Sequence, residues 1–542
     1  MPFSSKGLVH RSTATGIRGM VTSAHPLASL AGVRILLEGG NAIDAAVATA
    51  AALNVVEPYM SGLGGDGYMH IFSAREKDHK IVDYMGRSPA ATDLALYGSV
   101  EDRDRGVLCS LVPGACGGWL AALERYGSMD AKTVFAPAIG YAEDGFAVTV
   151  KNAEFIDASV ADLVKHSPRA DHYLNQGRAP RPGEVITQAD LGKTYRAIAE
   201  GGSEVFYSGE IGEKIVKHLE AIGGLITRED LAAFEVDIQK PVCSSYRGYR
   251  VFTPPPPCQG IQFLQMLNIL EGFDLEALGH NRVEMLHLFI ETAKLATADR
   301  VRYTIAGDAA VAAVISKEYA SDQRERIGDR AARGGGEAFT NDQDVLKPGD
   351  PTGWIKSECT THFNAVDAEG NAVSVTQSLG SGFGSAVVVP GTGIALNNLM
   401  RWFDYDPESS NVIGPGKKME LCMAPSQVWN DEGPRLLIGT PGSYGILQTT
   451  PQMIMNVIDH GMNVQAAIEA PRLKTFAGYQ VDVETRIPEV VLGDLEKKGH
   501  VLNRLGGWSA GVGGGQGIEI DREDGSFMGG ADPRRDGVAI GV

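Results

Sequence analysis

The chain has 542 residues, which allows several domains or one large α/β body, and with 43% hydrophobic and 21% charged residues a folded chain is expected and not a disordered one. Its 49 Lys and Arg against 67 Asp and Glu leave a formal charge of −18, which argues against a nucleic-acid or anionic-membrane surface. The six cysteines, Cys109, Cys116, Cys243, Cys258, Cys359 and Cys422, form no C-x-x-C pair and no zinc spacing with histidine, so no metal or cofactor is expected and isolated thiols are. Residues 1–15 lack the apolar core of a signal peptide, and no run reaches the ~18 apolar residues of a membrane span, so a cytoplasmic protein is expected unless a leader has been removed.

In chain order, Met20 to Ala24 forms a short strand. Pro26 to Leu37 is a helix stopped at Gly39-Gly40, and Asn41 caps a second helix, Ala42 to Leu53, with Asp44 in its first turn. That second helix is small and apolar all round, which predicts burial between other elements. Ser61-Gly62-Leu63-Gly64-Gly65-Asp66-Gly67 lacks the Lys-Ser/Thr pair of a P-loop and is read as a tight entry into a strand, Tyr68 to Ser73. Ile81 to Tyr84 is a further strand. Helices follow, closing at Gly127 and at Asp144-Gly145, and Thr227 with Asp230 forms a capping box. Tyr246 to Phe252 is expected to be one strand, broken by Pro254-Pro255-Pro256-Pro257; a polyproline recognition segment is the alternative there. Ile261 to Leu270 and His287 to Tyr303 are helices. The polar, glycine-rich stretch from about 324 to 359 is expected to be a flexible linker.

The linker leads to Ser357-Glu358-Cys359-Thr360-Thr361-His362-Phe363-Asn364-Ala365-Val366-Asp367. Alternation in 361–366 and again in 372–378, around the turn cluster Asp367-Ala368-Glu369-Gly370-Asn371, predicts a β-hairpin with a five-residue loop. Symmetric pairing of 366 with 372 then places Ser378 opposite Thr360, two hydroxyls on one face. An ordinary Thr–Ser cross-strand hydrogen bond accounts for that pair if the hairpin stands alone.

The wider sequence resembles the γ-glutamyltranspeptidase family, a branch of the N-terminal-nucleophile hydrolases. The resemblance runs from about Gly19 to the C-terminus. It is carried by Gly39-Gly40-Asn41-Ala42-Ile43-Asp44-Ala45-Ala46, Val56-Glu57-Pro58, Ser61-Gly62-Leu63-Gly64-Gly65 and Val112-Pro113-Gly114. Tyr246-Arg247-Gly248-Tyr249, Pro254-Pro255-Pro256, Ala298-Asp299-Arg300, Thr360-Thr361-His362, Asn397-Asn398 and Ala531-Asp532-Pro533-Arg534 extend it. It implies a four-layer αββα sandwich assembled from two fragments of one precursor, 1–359 and 360–542, with autocatalytic cleavage between Cys359 and Thr360. It further implies Thr360 as nucleophile and Ser378 as the assisting hydroxyl. Gly442 and Ser443 of Pro441-Gly442-Ser443-Tyr444-Gly445 match the oxyanion donors. The freed α-amine of such a threonine, with a pKa near ~8, can serve as its base. The expected partners are a small amide substrate, water or an amine as acceptor, and the two fragments themselves.

The residues that hold a γ-glutamyl group in the family are replaced. Its carboxylate-binding arginine falls at Met85, with Arg87 two places on, and its amine-binding aspartate falls at Trp402, flanked by Arg401 and with Asp404 nearby. Two serines become Leu421 and Cys422, and an asparagine becomes Gly380. The expected pocket is therefore larger and more apolar, with Arg87, Arg401, Trp402, Asp404, Cys422 and Tyr444 as candidate substrate-binding residues. The expected activity is that of a self-processing amidohydrolase or acyltransferase on a γ-glutamyl-like or other N-acyl amide. A catalytically silent, unprocessed relative acting as a binding or scaffold protein is the alternative.

Overall fold

A computed structural model describes the chain except for residues 1, 2, 5, 8, 169–171, 334–358 and 477. Two seven-stranded sheets lie at its centre. The first runs, from edge to edge, Val538–Gly541, Gly19–Ser23, Cys359–Asp367, Ala372–Gly380, Asp66–Ser73, Asp78–Asp83 and Asp237–Gln239. The second runs Ala14–Gly16, Ser526–Ala531, Gln516–Asp521, Gly433–Gly439, Ser426–Asn430, Tyr249–Thr253 and Val242–Tyr246. An apolar layer that includes Met20, Phe72, Val366, Trp429, Leu437 and Ile518 fills the space between them. Helices cover both outer faces, so the four layers are α, β, β and α, as the resemblance implies.

Helices Pro26–Leu37, Ala42–Val56 and Ala131–Asp144 cover the first sheet through a core rich in alanine and valine. All 15 residues of Ala42–Val56 are buried, as its unpatterned apolar sequence predicts. Asn41 caps it, accepting from the amides of Ile43 and Asp44, and Asp44 returns a bond to the Asn41 amide. Asp367, at the turn of the hairpin, accepts from the amide of Ala42 at 2.7 Å, which fastens this helix end to the turn after strand Cys359–Asp367. Ile261–Leu270, Val283–Tyr303 and Ile446–Ile458 cover the second sheet.

Three expectations change. Tyr246 to Phe252 is not one strand: Arg247 and Gly248 have φ of 51° and 84°, and this turn folds the segment into the hairpin Val242–Tyr246 and Tyr249–Thr253. The proline run is not a free recognition segment, because the amide of Leu421 donates to Pro257 O and that of Gln259 to Leu421 O. It docks the large fragment on the segment that carries Leu421 and Cys422. Of the expected linker, residues 334–358 lie outside the described residues, Arg324 and Glu325 end a helix, and Cys359 begins a strand. The six cysteines form no disulfide among the described residues, and among those residues no helix is long and apolar enough to cross a membrane.

Each sheet takes strands from both sides of residue 360, so the two parts of the chain are interleaved. The C-terminal segment is locked by a buried ion network. Arg472 Nη2 lies 2.6 Å from Asp532 Oδ2, Arg534 Nη1 3.0 Å from Asp532 Oδ1, and Arg534 Nε donates to Glu484 at 2.8 Å. Burial alone would raise the Asp532 carboxyl, but Arg534 and Arg472 outweigh it and hold it at about 2. A folded-state value below the unfolded ~3.9 means this stabilisation is complete above pH ~4 and is lost as pH falls through about 2. Asp532→Asn leaves two buried guanidiniums short of a counter-charge and is expected to cost about 3 kcal/mol or more at pH 7. Urea denaturation checks this, and the deficit should shrink towards pH 2.

Candidate active site

The hairpin of Cys359–Asp367 with Ala372–Gly380 pairs Val366 with Ala372 and continues in the expected register to Thr361 with Gln377. There it breaks. The next pair is Cys359 with Gly380, so Ser378 and Leu379 together face Thr360 in a bulge. The strict ladder pairing of 360 with 378 is thus replaced by a local irregularity of the kind that re-aims side chains. The two hydroxyls still meet: Thr360 Oγ1 donates to Ser378 Oγ at 3.2 Å. Ser378 Oγ donates in turn to the carbonyl of Cys359 and accepts from the amide of Gly380 at 2.8 Å. Thr360 is 4% exposed and Ser378 2%, so this chain of hydroxyls is shielded from bulk water.

The glycine loop before Asp66 explains how a second backbone comes so close. A Cβ on Gly65 would stand 2.5 Å from Ser378 O, and one on Gly64 2.1 Å from Ala395 O. The tight entry expected from the sequence is thus a close approach to the strand that holds Ser378. Gly380 has φ of 102°, and the Oδ1 of Asn398 lies 2.1 Å from where its Cβ would be. Asn398 holds that place by accepting from the Ser381 amide and donating to Asp104 O.

His362 is not a base. Its Nδ1 is 2.9 Å from Thr376 Oγ1, its ring lies against Gly439 between the sheets, and burial pushes its pKa down to about 3. It keys strand Cys359–Asp367 to the end of strand Gly433–Gly439, directly ahead of Thr440-Pro441-Gly442-Ser443. In that segment Gly442 has φ of 130° and Ser443 φ of 52°. Ser443 opens a 3-10 turn, Ser443–Gly445, that runs into helix Ile446–Ile458. Its amide therefore sits at the positive end of a helix dipole, a location suited to an oxyanion. The Ser443 hydroxyl is buried without a hydrogen-bond partner among the described residues.

The candidate substrate residues divide. Met85, Trp402, Leu421, Cys422 and Tyr444 belong to one buried apolar cluster. Trp402 lies against Gly380, 3.2 Å from its Cβ position, and its Nε1 has no acceptor among the described residues. Arg401 is committed to Asp104, Nη1 to Oδ1 at 2.7 Å, and also donates to Ser381 Oγ. Arg87 is exposed and donates to Gly416 O at 3.2 Å, and Asp404 accepts from Ser409 Oγ. Tyr444, next to the oxyanion segment, is covered by the Arg300 guanidinium 4.2 Å from its ring centroid.

Several buried charges near the site went unread in the sequence. Arg300 donates to Gln259 Oε1 at 3.1 Å, and Gln259 donates to Glu420, whose carboxyl burial raises to about 7. Glu57 accepts from Thr361 Oγ1 at 3.4 Å, and Arg535 Nη1 donates to Thr360 O at 3.1 Å. Glu57 and Arg300 lie inside the quoted motifs and Arg535 follows one directly, but nothing in their spacing shows what they touch.

An αββα sandwich with the hydroxyl chain from Thr360 to Ser378 to the Cys359 carbonyl has the architecture of an N-terminal-nucleophile hydrolase. The family model for gamma-glutamyltranspeptidase matches residues 28–542. The chain is 38% identical to the Acylase ACY 1 proenzyme of Pseudomonas sp. (strain V22), covering 98% of this chain and 95% of that protein. It is 33% identical to the glutathione hydrolase proenzyme of Bacillus subtilis (strain 168), covering 98% and 93%. The crystal structure of cephalosporin acylase from Bacillus halodurans superposes with a TM-score of 0.89 at 35% identity, covering 100% of this chain and 99% of that one. The protein belongs to the gamma-glutamyltranspeptidase family and is an enzyme.

Ser443→Gly should relieve the left-handed serine backbone and raise stability by up to about 1 kcal/mol. Gly380→Asn, which restores the residue type expected from the family, should instead destabilise, since the side chain must displace Asn398. Thermal denaturation of both variants measures the two signs.

Proposed function

We propose that the protein cuts its own Cys359–Thr360 bond and that the freed Thr360 then cleaves an N-acyl amide through an acyl-enzyme. The observation that carries this reading is the directed hydroxyl chain from Thr360 to Ser378 to the Cys359 carbonyl. In the precursor, Thr360 Oγ attacks the Cys359 carbonyl carbon while its proton passes to Ser378, and the Ser378 proton passes to the carbonyl oxygen. The tetrahedral adduct collapses by breaking the C–N bond, with the proton returned to the nitrogen, which leaves an ester on Thr360. Water hydrolyses that ester, giving a Cys359 carboxylate and a Thr360 with both hydroxyl and α-amine. In turnover the amine takes the proton of Oγ as the hydroxyl attacks the substrate amide, then delivers it to the leaving nitrogen. The amides of Gly442 and Ser443 face the developing oxyanion. Water or an amine acceptor releases the acyl group.

On the substrate, we favour an acyl chain with an apolar body over a γ-glutamyl zwitterion. Met85, Trp402, Leu421 and Cys422 offer no charge to a carboxylate or an ammonium, and Arg401 is held by Asp104. A buried unpaired charge costs several kcal/mol, so a zwitterion is penalised in such a pocket. The relative named Acylase ACY 1 agrees with this preference. The relatives named glutathione hydrolases keep the γ-glutamyl reading as its rival, and substrate profiling decides between the two.

Purified protein should run as two fragments on a denaturing gel, and Thr360→Ala should give one band and no turnover. Ser378→Ala should slow maturation by about 10²-fold, the usual loss when one donor to a developing oxyanion is removed. A single persistent band for the wild-type protein would contradict the reading. Profiled by mass spectrometry, the wild type should release aliphatic and glutaryl amides faster than glutathione. The double variant Met85→Arg, Trp402→Asp should shift that ratio towards glutathione.

A further inference from the structure

Arg535 and Glu57 are buried beside the nucleophile and take no part in the chemistry above. Arg535 is 3% exposed, and its Nη1 donates to the carbonyl oxygen of Thr360 itself. The same nitrogen lies 3.4 Å from Met60 Sδ, the guanidinium faces the Phe155 ring at 5.6 Å, and Nε has no acceptor among the described residues. The stem of Arg535 packs on Gly514, where a Cβ would come within 2.7 Å of it. The Gly514 amide donates to Thr440 Oγ1, immediately before the oxyanion segment. Arg535 is thus built in between the oxyanion support and the first residue of the small fragment. Glu57, 2% exposed at the end of the buried helix Ala42–Val56, holds the hydroxyl of Thr361.

We propose that Arg535 is a positioning residue for Thr360, which anchors it once the bond to Cys359 is gone and, with Glu57 as counter-ion, biases the freed α-amine towards its neutral base form. The inference rests on the cleavage reading above. Its geometry is simple. Cutting the chain removes the covalent tether on the amine side of Thr360, and the bond from Arg535 to Thr360 O remains on the other side. The amine nitrogen of a residue lies within ~3 Å of its own carbonyl oxygen, so the guanidinium stands roughly 6 Å from the amine. A unit positive charge at that range disfavours a second positive charge by about one to two pK units when partly screened. Burial raises Glu57 to about 7, with the Arg535 charge opposing that rise, so Glu57 is poised to balance the guanidinium. The other charged or titratable groups around the pair are Tyr59, Asp536, Arg11, Lys151 and Glu154, with Arg401 near Cys359.

The test is the pH profile of kcat/KM for matured protein with one amide substrate, in wild type, Arg535→Lys, Arg535→Gln and Glu57→Gln. Loss of the positive charge in Arg535→Gln should move the acid limb up by about one unit. Arg535→Lys should leave it within a few tenths, and Glu57→Gln should move it down. An unchanged limb in Arg535→Gln, whatever the fall in kcat, would make Arg535 merely structural and overturn the proposal. If Arg535→Gln does not mature, Glu57→Gln decides. Its α-amine is titrated by acetic anhydride labelling of the small-fragment N-terminus against pH, and an unmoved value overturns the proposal. A wild type that does not cleave would instead refute the underlying reading, which keeps the two failures distinct.

Discussion

The structure depends on one constraint: the Thr360 hydroxyl must be linked through Ser378 to the Cys359 carbonyl, in a place that bulk water does not reach. A regular strand cannot do this, because successive residues point to opposite faces and the chain runs extended. The bulge at Ser378 and Leu379 bends the ladder where Thr360 meets it. The glycines at 64 and 65 then let the neighbouring backbone close over the site without side chains in the way. The buried alanine-rich helix behind the strand is fixed to the same hairpin through Asp367. Each of these features serves to hold three oxygens in line.

A second consequence concerns what survives a cut. The Cys359–Thr360 peptide bond lies at the start of a central strand, ahead of the pairs from Thr361 to Val366, so the proposed cut there leaves that ladder intact. Strands from both sides of residue 360 alternate in both sheets, and the proline loop of the first part docks on Leu421 of the second. The buried arginine network at Asp532 and Glu484 lies wholly within the second part. The fold is therefore held by contacts that do not pass through the peptide bond at 359–360.

Much of this was legible in the sequence. Helix Pro26–Leu37 has the expected bounds, the capping at Asn41 and Thr227 is as read, and the hairpin register holds from 366 back to 361. Local signals fixed these features: caps, glycine stops and period-two alternation act over a few residues. The bulge was not legible, because period-two alternation carries no signal for an extra residue in one strand of the ladder. The turn at Arg247-Gly248 was missed because a non-glycine residue takes the first positive-φ position. Arg401 was read as a candidate ligand, but its charge belongs to Asp104, about 300 residues earlier, and no spacing rule joins the two.

The changed pocket follows the same physics of burial. Had only the arginine at 85 been lost, an aspartate at 402 would have remained as an uncompensated buried charge, at a cost of several kcal/mol. Had only the aspartate been lost, the arginine would have been left in that position. Replacing both, together with the serines, gives Met85, Trp402, Leu421 and Cys422, which pack into one apolar cluster. The remaining cations near this wall are already engaged, Arg401 by Asp104 and Arg300 by Gln259 and the Tyr444 ring. As a set, the substitutions agree with the apolar acyl preference proposed above.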